Sequence, residues 1–107
     1  MWNDTAILVI TEFGRTAEVN GTLGTDHGTA AAAFLTGGAV KGGRVIADWP
    51  GLKSTQLYQA RDLAPTTDLR AVAKGVMTEL FDVSPDVLAD KVFPESGDVA
   101  PLQGLIV

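Results

Sequence analysis

The sequence predicts an α/β domain, and three stretches carry that prediction. Thr5 to Thr11 (TAILVIT) is a short, unbroken apolar run rich in β-branched residues, the pattern of a strand covered on both faces in a parallel sheet. Leu69, Val72, Ala73, Val76, Met77 and Leu80 recur at the spacing of one helix face. The apolar tail Pro101 to Val107 (PLQGLIV) adds a candidate last strand over 102–107.

Taken in order, the first strand ends at Glu12, and the segment Glu12 to Gly28 (EFGRTAEVNGTLGTDHG) has four glycines and no helical or alternating period. It is a long loop, and long loops in small domains are usually functional or disordered. Thr29 to Thr36 (TAAAAFLT) is ambiguous: its alanines favour helix, whereas its length and the stop at Gly37-Gly38 favour a buried strand. A strand is the reading taken. Arg44 to Asp48 reads as a short edge strand after a turn at Lys41 to Arg44, and an irregular stretch runs from Pro50-Gly51 to Pro65.

The helix that follows starts with Thr67 as its expected cap and Asp68 at the positive end of its dipole. A second, short helix begins at Ser84-Pro85 and stops at Pro94, with Val83 and Leu88 placed to staple its start. Residues 1–107 thus form a single partial domain: a strand-loop-strand half over 1–51, a helical half over 66–94 and a terminal strand over 102–107. The first strand starts almost without preamble, and a fragment of a larger domain is expected.

Composition excludes several functions. The 107 residues carry 13 acidic and 8 basic side chains, for a net charge of −5. The sequence pI near 4.5 and the lack of any Lys/Arg cluster argue against nucleic acid or anionic membrane as a partner. Hydrophobic residues make up 46% and charged residues 20%, which is the range of globular chains. With no cysteine, disulfides, thiolate metal centres and thiol catalysis are all excluded. No apolar run is long enough to span a bilayer, so membrane insertion is not expected, and MWNDT has none of the marks of a signal peptide.

The chemistry concentrates in the glycine-rich loop, which holds Glu12, Arg15, Asn20, Asp26 and His27. At the carboxyl end of a parallel strand, such a loop stands where open α/β folds bind ligands. Glu12, Asp26 and His27 offer two carboxylates and an imidazole, a donor set suited to a divalent cation such as zinc or manganese. An Asp-His pair between glycines is also ordinary turn chemistry. Arg15 is suited to clamp a phosphate or sulfate, or to pair with Glu12 or Glu18. Asn20-Gly21 is a turn signal first and an anion ligand second.

Five words in order carry a family resemblance: TEFGRT (Thr11 to Thr16), GTDHG (Gly24 to Gly28), GGAVKGG (Gly37 to Gly43), DWPGL (Asp48 to Leu52) and TTDLRAV (Thr66 to Val72). Together they resemble the carboxyl-terminal part of the sulfatase-like family called "domain of unknown function 1501", in the alkaline phosphatase superfamily. The resemblance runs from about Thr5 to Pro94. It implies a fragment of a three-layer α/β/α, alkaline-phosphatase-like fold with a mainly parallel sheet, in which strand-tip carboxylates and histidines hold one or two divalent metals (zinc, manganese, magnesium or calcium). Glu12 then stands where relatives carry a metal-binding Asp-His pair, His27 resembles a later histidine ligand, and Asp26 is its acidic neighbour. Relatives carry the nucleophile in an amino-terminal half that has no counterpart here. They are exported behind a twin-arginine signal, so a periplasmic or exported location is implied.

The expected function is therefore the carboxyl-terminal part of a metal-dependent hydrolase of small phosphate or sulfate esters, inactive as an isolated piece. The alternative is a non-enzymatic phosphatase-like module that binds a partner or builds a homo-oligomer through an exposed sheet edge.

Overall fold

The apolar run at Thr5 to Thr11 finds one strand neighbour, not two. A computed structural model describes residues 1–107 and contains four short strands: β1 (Ile7–Val9), β2 (Gly14–Arg15), β3 (His27–Gly28) and β4 (Phe34–Thr36). β1 pairs with β4 and β2 with β3, giving two short antiparallel two-stranded sheets. The three-layer α/β/α fold with a mainly parallel sheet is thereby corrected. The cause lies in the connection. A parallel neighbour needs a long crossover, usually helical, that returns the chain across the sheet. Between Val9 and Phe34 the chain instead forms a β-hairpin and no helix. Ile7, Val9 and Ile10 are accordingly 44%, 51% and 51% exposed, so the run is not covered on both faces.

Other expected elements shrink in the same way. Of Thr29 to Thr36 only the last three residues are strand, Arg44 to Asp48 forms no regular structure, and the 102–107 tail forms a single bridge, Ile106 to Val40. The chain divides into two compact units.

The first unit joins Met1–Leu8, Leu35–Val45 and Asp68–Val107. Its main element is helix α1 (Leu69–Phe81), capped by Asp68 rather than Thr67: the Asp68 carboxylate accepts the Arg70 N–H at 2.9 Å. Asp82 closes the helix in the left-handed conformation, a position where Asp is tolerated better than most residues. The residues that α1 buries most are Ala71, Lys74 and Gly75, not the apolar row. A Cβ on Gly75 would lie 2.9 Å from Leu105 Cδ1 and closer still to the Leu102 carbonyl. The missing side chain thus lets the tail lie directly on the helix, where Leu102 N–H donates to Ala71 O at 3.0 Å and Leu105 N–H to a Glu79 carboxylate oxygen at 3.0 Å.

Lys74 is 1% exposed. Its ammonium donates to the carbonyls of Ser96 (2.7 Å) and Val99 (2.8 Å), which ties the chain beyond the helices back to α1. Ser84 caps α2 (Pro85–Val87) as expected, accepting the Val87 N–H, and the chain then widens into a π-helical turn over Leu88–Val92 with Leu88 fully buried. The amino-terminal segment joins through Ala39 N–H to Thr5 O, and the tail through Val107 N–H to Ala39 O.

The second unit joins Val9–Phe34 and Ile46–Thr67 and holds every residue of the candidate site. No helix of the chain is long and apolar enough to cross a membrane.

Candidate functional site

The glycine-rich loop is a hairpin whose register is set by two glycines. Gly14 faces Gly28 and Arg15 faces His27 across β2 and β3. Both glycines are buried. A Cβ on Gly28 would sit 2.6 Å from the Arg15 carbonyl carbon and 2.9 Å from Thr16 N, and one on Gly14 would overlap the Ala30 carbonyl. Only residues without a side chain allow this approach. Beyond the strands, Thr16 N–H donates to Asp26 O at 3.0 Å, and Thr16 Oγ1 accepts the Asp26 N–H at 3.1 Å.

That register brings Arg15 and His27 together on one aromatic ring. Residues directly opposite in an antiparallel pair point to the same side of the sheet. The His27 imidazole stacks on Phe13, with ring centroids 3.9 Å apart and planes 22° from parallel. The Arg15 guanidinium lies 5.9 Å from the centroid of the same ring, within the range of cation–π attraction. One guanidinium N–H donates to Thr25 O at 3.2 Å, which leaves others free. Both side chains are exposed.

Asn20 and Asp26 are used differently. Asn20 Oδ1 accepts from Thr22 N–H, Thr22 Oγ1 and Gly24 N–H, at 3.0, 2.9 and 3.0 Å, and Asn20 Nδ2 donates to Asp26 Oδ1 at 3.0 Å. The Asn20 amide is therefore committed to holding the turn, and its turn role outweighs the anion-ligand role. Asp26 is anchored by that amide, and Glu12 is exposed. Glu12, Asp26 and His27 do not close into a metal-holding set: no three His, Asp or Glu side chains of the chain are so grouped.

Sequence reasoning missed a third partner of this hairpin, Asp62. It is 0% exposed. Its carboxylate accepts the Thr29 hydroxyl at 2.8 Å and the Arg61 Nε–H at 3.0 Å. Its backbone bridges to Thr16 and to Tyr58. The Thr29 hydrogen bond, with help from Arg61, holds the Asp62 carboxyl below the ordinary carboxylate range, although burial pushes the other way. Asp62 lies in the stretch that looked irregular, and nothing local marks it: its partner Thr29 is 33 residues away. Phe13 carried a readable signal, an aromatic beside Glu12 at the strand tip, but not its role as a platform.

Fold and site together define a small chain of short antiparallel strand pairs and a few helices that presents an arginine and a histidine at one aromatic ring. The chain belongs to the family described as "Protein of unknown function (DUF1501)", whose model matches residues 1–92. Comparison with the curated proteins and with the solved structures gives no match.

Proposed function

We propose that this chain is the carboxyl-terminal part of a sulfatase-like hydrolase of phosphate or sulfate esters, related to the alkaline phosphatase superfamily, and that Arg15 and His27 bind the ester's anionic group. The observation that carries this reading is the shared Phe13 platform, with the His27 imidazole stacked on the ring and the Arg15 guanidinium 5.9 Å from its centroid, both exposed. A planar guanidinium matches two oxygens of a tetrahedral anion. An imidazole N–H beside it reaches a third oxygen, and donors fixed in this way stabilise charge that grows on the ester during cleavage. These residues bind and orient, and the group that attacks the ester is not assigned to them. The reading needs no metal on Glu12, Asp26 and His27.

The test is titration of the chain with inorganic phosphate and with sulfate, followed by NMR at the His27 ring and the Arg15 side chain. Saturable shifts at both, lost in Arg15→Ala and in His27→Ala, support the reading. Shifts absent from the unaltered chain, or unchanged in the variants, overturn it.

One observation favours a second reading, a module that binds anions without cleaving them. The Thr16, Thr22 and Thr29 hydroxyls around the hairpin each serve hydrogen bonds within the fold. Hydrolysis of an aryl phosphate or sulfate by the chain would reject this alternative.

A further inference from the structure

We infer that Asp62 is the positioning residue of the Arg15/His27 anion site, acting on both strands of the hairpin from a buried position outside it. The inference rests on the anion-binding reading above and adds to it the group that sets the distance between the two ligands. Asp62 is fastened to the residue that follows Arg15, through its backbone bridge to Thr16. It is also fastened just beyond His27-Gly28, through its carboxylate to the Thr29 hydroxyl. Ala17 N–H, next in line, donates to Arg61 O at 3.0 Å. The carboxyl ends of both strands, beyond Arg15 in β2 and beyond Gly28 in β3, are thus tied to one short segment, Arg61-Asp62.

The pair β2 and β3 needs such a clip. Each strand is only two residues long, and an isolated two-stranded hairpin is marginal in water even when longer. Gly14 and Gly28 contribute no side-chain packing to hold it. The 58–62 segment that provides the clip is itself closed: Tyr58 N–H donates to Asp62 O at 2.7 Å, and Asp62 N–H to Tyr58 O at 3.0 Å. Arg61, its side chain half exposed, offsets the carboxylate's charge. The clip is therefore charge-balanced and held from behind, so it can fix Thr29 without moving. Asp62 is fully buried, so its carboxylate is out of a ligand's reach.

The experiment compares the unaltered chain with Asp62→Ala, Thr29→Val and Thr29→Ser, using inorganic phosphate as the probe. Two quantities are read: the ring-current displacement of the His27 ring protons caused by Phe13, and phosphate affinity. If Asp62 positions the site through Thr29, Asp62→Ala and Thr29→Val both lose the displacement and bind phosphate about tenfold more weakly. Thr29→Ser, which keeps the hydroxyl, retains both. An Asp62→Ala chain that unfolds cooperatively yet keeps the displacement and the affinity overturns the proposal. If Asp62→Ala does not fold, the Val and Ser variants at Thr29 decide: equal behaviour of the two overturns it. If the unaltered chain binds no phosphate, the anion reading fails by itself, and the His27 displacement alone still decides whether Asp62 positions the ring.

Discussion

The His27 imidazole and the Phe13 ring lie face to face, 3.9 Å between centroids, on a hairpin only two residue pairs long. The stack fixes the imidazole plane without a hydrogen bond, which leaves the ring's edge free to meet a ligand. Phe13→Leu keeps an apolar group and removes the flat surface. Its expected effect is a loss of about 0.5–1.5 kcal/mol of stacking, seen as relaxation of the His27 ring shifts and weaker phosphate binding, with the melting of the first unit unchanged.

Gly28→Ala tests the register itself. The added methyl group meets backbone on the opposing strand, where little can give. The expected cost is about 1–3 kcal/mol, measured by urea unfolding, together with loss of the Arg15–His27 cross-strand amide contacts. Gly21→Ala is the control, since a Cβ there meets nothing, and its expected effect is small.

In the first unit, Gly75→Ala sets two effects against each other. Alanine gains about 1 kcal/mol of helix propensity over glycine. Against this, the Leu102 backbone and Leu105 lie where the new methyl must go, and overpacking of this kind costs about 1–3 kcal/mol. The clash wins, and a lowered thermal midpoint is the expected result. A raised midpoint would mean that the tail moves away from α1 without cost.

Lys74→Met keeps the side chain's length and removes its donors. Val99 O then loses its ammonium partner, while Ser96 O keeps the Val99 N–H. One orphaned, partly buried carbonyl costs about 1–3 kcal/mol. Urea unfolding measures the loss, and hydrogen exchange places it between Phe93 and Val99.

Acidification should act through two carboxylates. Hydrogen bonds from Thr29 and then Arg61 lower the pKa of Asp62, and hydrogen bonds from Arg70 lower that of Asp68. A carboxylate with a folded pKa below its unfolded value, about 3.9 for Asp, stabilises the fold above that value. The contribution fades as pH falls through the lower, folded pKa. Stability is therefore expected to hold from neutral pH down to about 4 and to drop below it. Asp62→Asn is expected to be less stable at neutral pH and to lose less on acidification, as thermal melts across a pH series would show.

How much of this was legible depended on how local each signal was. Helix α1 was legible because its period repeats over three turns, and the Ser84-Pro85 start of α2 because a cap acts within one turn. The cap of α1 was misplaced by one residue, since Thr67 and Asp68 are both good caps and only Arg70 selects between them. The parallel sheet was misread because an apolar, β-branched run reports suitability for burial, not how many neighbours arrive. In the site, Arg15 and His27 were legible as residue types, whereas their shared platform required the Gly14–Gly28 register. Glu12, Asp26 and His27 looked like one ligand set because they share a loop, yet the hairpin stacks His27 on Phe13, and Asn20 engages Asp26. Asp62 was invisible because the hairpin residues it holds, Thr16 and Thr29, are distant in sequence.

The first unit is assembled from three separated stretches of chain, with Thr5 and Val107 both reaching Ala39. During synthesis Thr5 meets Ala39 as soon as Leu35–Val45 has been made, whereas the unit closes only when Val107 reaches the same residue. Closing such distant ends is slow, because the entropic toll falls due before any contact rewards it. The interval is when a growing chain would be most vulnerable to proteases and to sticking to its neighbours.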